Sequence, residues 1–195
     1  MKILYFFLLS FFIACQSPRQ SPGKVITVES VVNDSLIDLG DVQAIIDPVW
    51  WTADIYQTHD VYKNSLAPFS ENQRFVFAIQ WYQAEINNGG HEQFFYNSTG
   101  IVWEDMLNGF KKMGLSDYYA IAEDAVNKFP TKPDFERVRR ISQLESLKLD
   151  FEDLDTRFYN LDTVNPLQMN LIRFIEANKK DFYFHGPITR PIDYP

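Results

Sequence analysis

Between Ser70 and Ile175 apolar residues return every third or fourth position, a spacing that admits little besides amphipathic helices. Ser70 and Gln73 make a capping box, and Phe75, Val76, Ile79, Tyr82 and Ile86 follow at helical spacing until Gly89-Gly90 stops the run. A second helix is expected from about Ser98 to Met113, closed by Gly114, with Val102, Met106, Leu107 and Phe110 as its apolar face. Ser116 caps a third, which carries Tyr119, Ile121, Ala122 and Val126 up to Pro130. Thr131 with Asp134 opens a fourth, in which Phe135, Val138, Ile141, Leu144 and Leu147 recur by threes. Asn165 before Pro166, with Gln168 completing the box, starts a fifth helix faced by Leu167, Leu171, Phe174 and Ile175. Lys24–Val32 is β-branched and reads as a short strand or an extended arm; the Pro-rich end, Phe184–Pro195, reads as irregular. The expected fold class is all-α, a single compact multi-helix domain over residues 25–195.

Ahead of that domain stands Met1-Lys2 and an apolar run, Ile3 to Ala14, in which Ser10 is the only polar residue. As a helix it would span about 18 Å, too short for a hydrocarbon core of about 30 Å. A short positive start, an apolar run and a small final residue describe a secretory signal. The F-I-A-C ending is similar to the lipobox of bacterial lipoprotein signals, with Phe12 where Leu is usual. Residues 1–14 are therefore expected to be a cleaved lipoprotein signal peptide and Cys15, the only cysteine, the lipidated first residue. Residues 15–24 are polar and Pro-rich, as a tether between membrane and domain would be. The expected location is extracytoplasmic and lipid-anchored, periplasmic or at the surface; Gln16 lacks an Asp-type retention signal, which favours an outer membrane.

Charge narrows the partners. The chain carries 26 acidic against 18 basic residues, a net −8. From Val25 to Tyr62 there are seven carboxylates and no Lys or Arg. Direct nucleic-acid binding is not expected, because counterion release needs clustered cations. If Asp34–Asp47 is helical, Asp34, Asp38 and Asp41 fall at i, i+4 and i+7, a candidate acidic face for a basic protein partner, with Leu39, Val42 and Ile46 turned inward. The alternative is an ordinary solvated acidic surface.

The chain lacks a G-x-S-x-G elbow, a G-x-x-x-x-G-K-[ST] loop and a G-x-G-x-x-G turn. His59, His91 and His185 are isolated in sequence, and none has metal-ligand spacing. No catalytic residue, metal or cofactor is expected, and the chain reads as a binding protein and not an enzyme.

Its most specific stretch is Trp81–Gly100: a helix end, a double-glycine turn and a new short helix. Asn88-Gly89 suits a positive φ, and Gln93 and Asn97, four apart, face back toward Glu85 or Asn88. The cluster reads as a buried polar network fixing the turn or as a ligand-facing polar pocket. Glu85, Asn88, Gly89, Gly90, Gln93, Phe94, Phe95 and Asn97, in the pattern E-x-x-N-G-G-x-x-Q-F-F-x-N, resemble the signature of the DNA-mimic (DMP-type) protein family. Leu154-Asp155-x-x-Phe158-Tyr159 is similar to a second stretch of that family, and the resemblance covers about Asp47 to Tyr183. It implies an all-α fold without catalytic residues or cofactor. It also implies carboxylates offered in place of DNA phosphates to a transcription factor. The function expected is a lipid-anchored interaction protein of the cell envelope with an acidic surface. DNA mimicry toward a regulator is the first alternative, and a pocket or enzyme around Glu85–Asn97 the second.

Overall fold

The computed structural model describes residues 24–192. The leader, Cys15 and the tether up to Gly23 lie outside the described residues. The chain enters on strand β1 (Val25–Val32) and passes through helices α1 (Asp34–Ile37), α2 (Val42–Thr52) and α3 (His59–Ser65) into the long α4 (Glu71–Tyr96). A 3-10 segment (Ser98–Val102) leads to α5 (Trp103–Met113), α6 (Ser116–Asn127), α7 (Arg137–Leu147), α8 (Glu152–Val164) and α9 (Leu167–Ala177). A second 3-10 turn (Lys179–Phe182) returns the chain to strand β2 (Phe184–Pro191). The domain is all-α, as expected, with one two-stranded sheet added.

Helix α4 is the axis on which the rest packs: it touches α2, α5, α7, α8 and both 3-10 segments. The capping box at its start is formed, Gln73 N donating to Ser70 Oγ at 3.1 Å and Ser70 N to Gln73 Oε1 at 2.9 Å. Its burial exceeds the expected single face, since Phe77, Ala78, Gln80 and Gln83 are buried along with Phe75, Val76, Ile79, Tyr82 and Ile86. Over Asn72–Gln83 the helix is covered on nearly every side, and exposed positions resume at Ala84, Asn87 and Asn88. Tyr82 stands at the centre of the aromatic core, edge to face with Phe94, Phe110 and Phe158 at 5.2, 5.7 and 5.6 Å.

Several local expectations are corrected. Phe184–Pro195 is not irregular over its first eight residues: β2 pairs antiparallel with β1, from Val32↔Phe184 to Val25↔Pro191. Ile192 N donates to Lys24 O, so even-numbered residues of β2 turn their N–H groups toward β1. Pro187 and Pro191 fall on the outward parity, where a missing N–H costs no ladder bond. Ser116 is the first residue of α6 and makes no cap bond; Leu115 precedes it at the cap. The fourth helix begins at Arg137 rather than after Thr131. Pro133 keeps its predecessor out of the α region, Lys132 takes φ +67°, and Asp134 instead accepts from Glu136 N. On α7 Val138 is exposed while Arg140 and Leu144 turn inward. Asn165 does not cap α9; Asp162 Oδ1 takes the Leu167 N–H at 2.7 Å, and Gln168 reaches across to Gln80. The first turn of the expected Ser98–Met113 helix is 3-10.

Candidate functional site

The axis helix breaks where the two glycines stand. Gly89 has φ −168° and ψ 24°, and Gly90 has φ 75° and ψ −174°. The positive φ therefore falls on Gly90 and not on Gly89, and its combination with that ψ belongs to a region essentially reserved for glycine. Asp155 of α8 closes on the same spot: a Cβ on Gly90 would lie 2.3 Å from its Oδ2. The break turns the last stretch of α4, His91 to Tyr96, back across the core, where Phe94 and Phe95 are wholly buried.

Across the break lies the network that the spacing of Gln93 and Asn97 foretold. Glu85, 8 % exposed, accepts from Gln93 Nε2 at 2.7 Å and Asn97 Nδ2 at 2.9 Å on one oxygen, and from Thr99 Oγ1 at 2.9 Å on the other. Thr99 was not anticipated, and Asn88 is exposed and takes no part. Three donors in a low-dielectric setting commit both oxygens of this carboxylate and tie the two ends of the broken helix to the 3-10 segment. Asn88, Gly89, Glu92, Gln93, Tyr96 and Asn97 border a shallow depression beside it.

A second polar chain runs through residues that looked isolated. His91 is fully buried; its Nδ1 lies 2.5 Å from Asp155 Oδ1, its backbone N donates to the same oxygen at 2.8 Å, and its Nε2 meets Tyr82 Oη at 2.7 Å. With Nδ1–H given to the carboxylate, Nε2 accepts from the Tyr82 hydroxyl. Burial raises the Asp155 pKa, but the bonds from His91 outweigh it and hold the carboxyl below its ordinary range. A lowered carboxyl pKa stabilises the fold above the unfolded value, and that contribution disappears as pH falls through the folded value. The stability gap between wild type and Asp155→Asn should therefore be largest near neutrality and shrink below about pH 4. Denaturant titrations at pH 7 and pH 3 check this, and a gap independent of pH would reject it.

Arg140 of α7 was also missed in the sequence. It is fully buried, and its guanidinium donates to four backbone carbonyls, those of Phe95, Asn97, Asp134 and Phe135, at 2.7, 2.7, 2.7 and 2.9 Å. Burial pulls its pKa down to about 10, so it stays charged at neutral pH. It finishes the C-terminal carbonyls of α4. Its one signal in the sequence is that it stands four residues before the buried Leu144, whereas spacing by threes selects Ile141.

The acidic stripe expected at Asp34, Asp38 and Asp41 does not form. The chain leaves the helix after Ile37, turns at Gly40 with φ +69°, and restarts at Val42. Asp34 accepts from Tyr183 Oη at 2.7 Å and Asp38 pairs with Lys179, while Asp41 caps α2 by accepting from Ala44 N at 3.1 Å. Leu39 is 75 % exposed rather than inward; Val42 and Ile46 are buried as expected. Among the described residues no three His, Cys, Asp or Glu side chains gather as a metal site would require, and no helix is long and apolar enough to cross a membrane.

The two sequence blocks thus meet in space: Gly90 and His91 from one lie against Asp155 from the other, and Tyr159 Oη donates to Ile86 O at 2.6 Å. The family model described as DMP19-like protein matches residues 67–178, which takes in both blocks and all of α4 to α9. No curated protein and no solved structure matches the chain. With both blocks in one core and more than half of its length matched, the chain belongs to the DMP19-like protein family.

Proposed function

We propose that the chain is a non-enzymatic interaction protein, held at an envelope membrane by lipid on Cys15, that meets a protein partner through its acidic surface. The observation that carries this reading is how the carboxylates divide. Glu85 and Asp155 are committed to internal donors. Asp60, Glu92, Glu104 and Asp117, and Asp41 even while it caps α2, are exposed and in no ion pair with Lys or Arg among the described residues. Exposed carboxylates without local counter-charge steer a basic partner and make its association salt-dependent.

The anchor is tested first. Lipid chains add about 0.8 kcal/mol per buried CH₂, so wild type should fractionate with membranes and carry acyl mass at Cys15, and Cys15→Ser should do neither. A wild-type protein that is soluble and unacylated rejects the anchor. Cross-linking of the intact lipoprotein in native membranes then recovers the partner. Capture should weaken as salt rises, and neutralising the five carboxylates as amides should reduce that salt dependence.

The family match favours a second reading, in which carboxylates replace DNA phosphates on a regulator. In this chain Asp155 and Asp162 turn inward, Asp162 accepting from Tyr118 Oη at 2.8 Å. Glu145, Asp150 and Glu152 remain exposed for such a row, while Asp153 lies 3.4 Å from Lys128 Nζ. Release of a DNA-binding protein from its operator by the purified chain would select this reading over an envelope partner.

A further inference from the structure

We infer that a cleft between α2 and α4 binds a neutral, hydroxyl-rich oligosaccharide. One end of it sets Gln43 and Trp50 of α2 against Gln80, Gln83 and Asn87 of α4, with Gln168 of α9 beside them, and no charged group lines it. Trp50 also borders a wider depression of about 590 Å³, lined by Trp51, Tyr56 and Trp81 with Asp54 as its one charged residue. The indoles of Trp50 and Trp81 stack at 4.0 Å and 14°, and Phe77 braces Trp50 edge-on at 5.9 Å, so the aromatic floor is held from behind.

The polar wall is not satisfied from within. Gln80 accepts from Gln168 Nε2 at 3.1 Å. Gln83 is only 7 % exposed, yet its side-chain amide makes no hydrogen bond to any described residue. Its amide is not among the polar atoms sealed from solvent, so what exposure it keeps is to the cleft. Trp81 lines the wider depression, and its Nε1 is buried without a hydrogen-bond partner among the described residues. A folded chain rarely leaves such groups unpaired unless something else completes them.

The chemistry of the lining selects the ligand. An amide donates and accepts, as a sugar hydroxyl does, so a row of Gln and Asn matches a polyol without needing charge. The C–H face of a pyranose lies flat on an aromatic ring, whose face is electron-rich and apolar. An anion or cation finds no counter-charge at the amide end, Asp54 of the wider depression already accepts from Tyr56 N and Gln57 Nε2, and two adjacent depressions suit several units in a row.

The test uses the full-length protein in a detergent without sugar headgroups, titrated with cellohexaose, maltohexaose and chitohexaose to about 1 mM. Tryptophan fluorescence and calorimetry are the readouts. At least one hexasaccharide should give a saturable change. Gln83→Leu should weaken that binding at least tenfold while leaving the melting temperature close to that of wild type, because the amide it removes opens to the cleft and bonds nothing within the fold. Asn87→Ala, at an exposed position of the same wall, should weaken binding without touching the fold. Failure of all three sugars to saturate, unchanged affinity in both variants, or a response to hexaglycine and to no sugar would each overturn the inference.

Discussion

Gly90→Val is expected to be among the most damaging single changes available to this domain, and Gly90→Ala nearly as damaging. Two separate costs fall on one atom. The backbone at φ 75° and ψ −174° is strained for any residue with a Cβ, a penalty of about 1–3 kcal/mol. That Cβ would also lie 2.3 Å from Asp155 Oδ2 and 2.8 Å from its Cγ. The carboxylate must move, and it is the acceptor for both His91 N and His91 Nδ1. A buried imidazole then loses its partner in addition to the strain. Together these should exceed about 4 kcal/mol, the range reserved for strain combined with a broken buried network. For a domain of this size that lowers the melting temperature by about 10 °C or more. Thermal melts of wild type and Gly90→Ala decide the matter: coincident curves would mean that the break tolerates a side chain and that Asp155 does not depend on it.

Arg140→Leu should cost a comparable amount for a different reason. The guanidinium is a planar fork with five N–H donors, and four carbonyls from two separate segments converge on it. Gly100 leaves the room it needs, since a Cβ there would stand 2.6 Å from Arg140 Nε and 2.7 Å from Phe94 O. Leucine fills part of the volume but leaves those carbonyls facing apolar surroundings, an expected loss of about 3–5 kcal/mol. Lysine keeps the charge but cannot reach four acceptors from one point, so Arg140→Lys should recover less than half of the loss. The neighbouring Arg139, largely exposed and 3.8 Å from Asp134, serves as comparator; its replacement by leucine should change stability by no more than about 0.5 kcal/mol. Denaturant unfolding of the three variants measures the difference, and equal losses at 139 and 140 would contradict the role given to the buried fork.

What the sequence alone determined follows local rules. The helical class, the capping box at Ser70, the break at Gly89-Gly90 and the C-cap at Gly114, with φ +69°, are all set by residues within one or two turns of each other. The Glu85 network was legible for the same reason: Gln93 and Asn97 share a helix face, and only a short turn separates them from Glu85. Tertiary structure decided what joins distant segments. Nothing local ties Val25 to Pro191, His91 to Asp155 or Arg140 to Phe95, because periodicity reports which face is buried and not what it meets. Burial also overrode charge at Arg140, since four well-placed acceptors make an inward arginine tolerable where the apolar pattern had put Ile141. The acidic stripe failed on the same boundary. The spacing of Asp34, Asp38 and Asp41 has meaning only along an unbroken helix, and the turn at Gly40 ends it so that Asp41 can cap the next one.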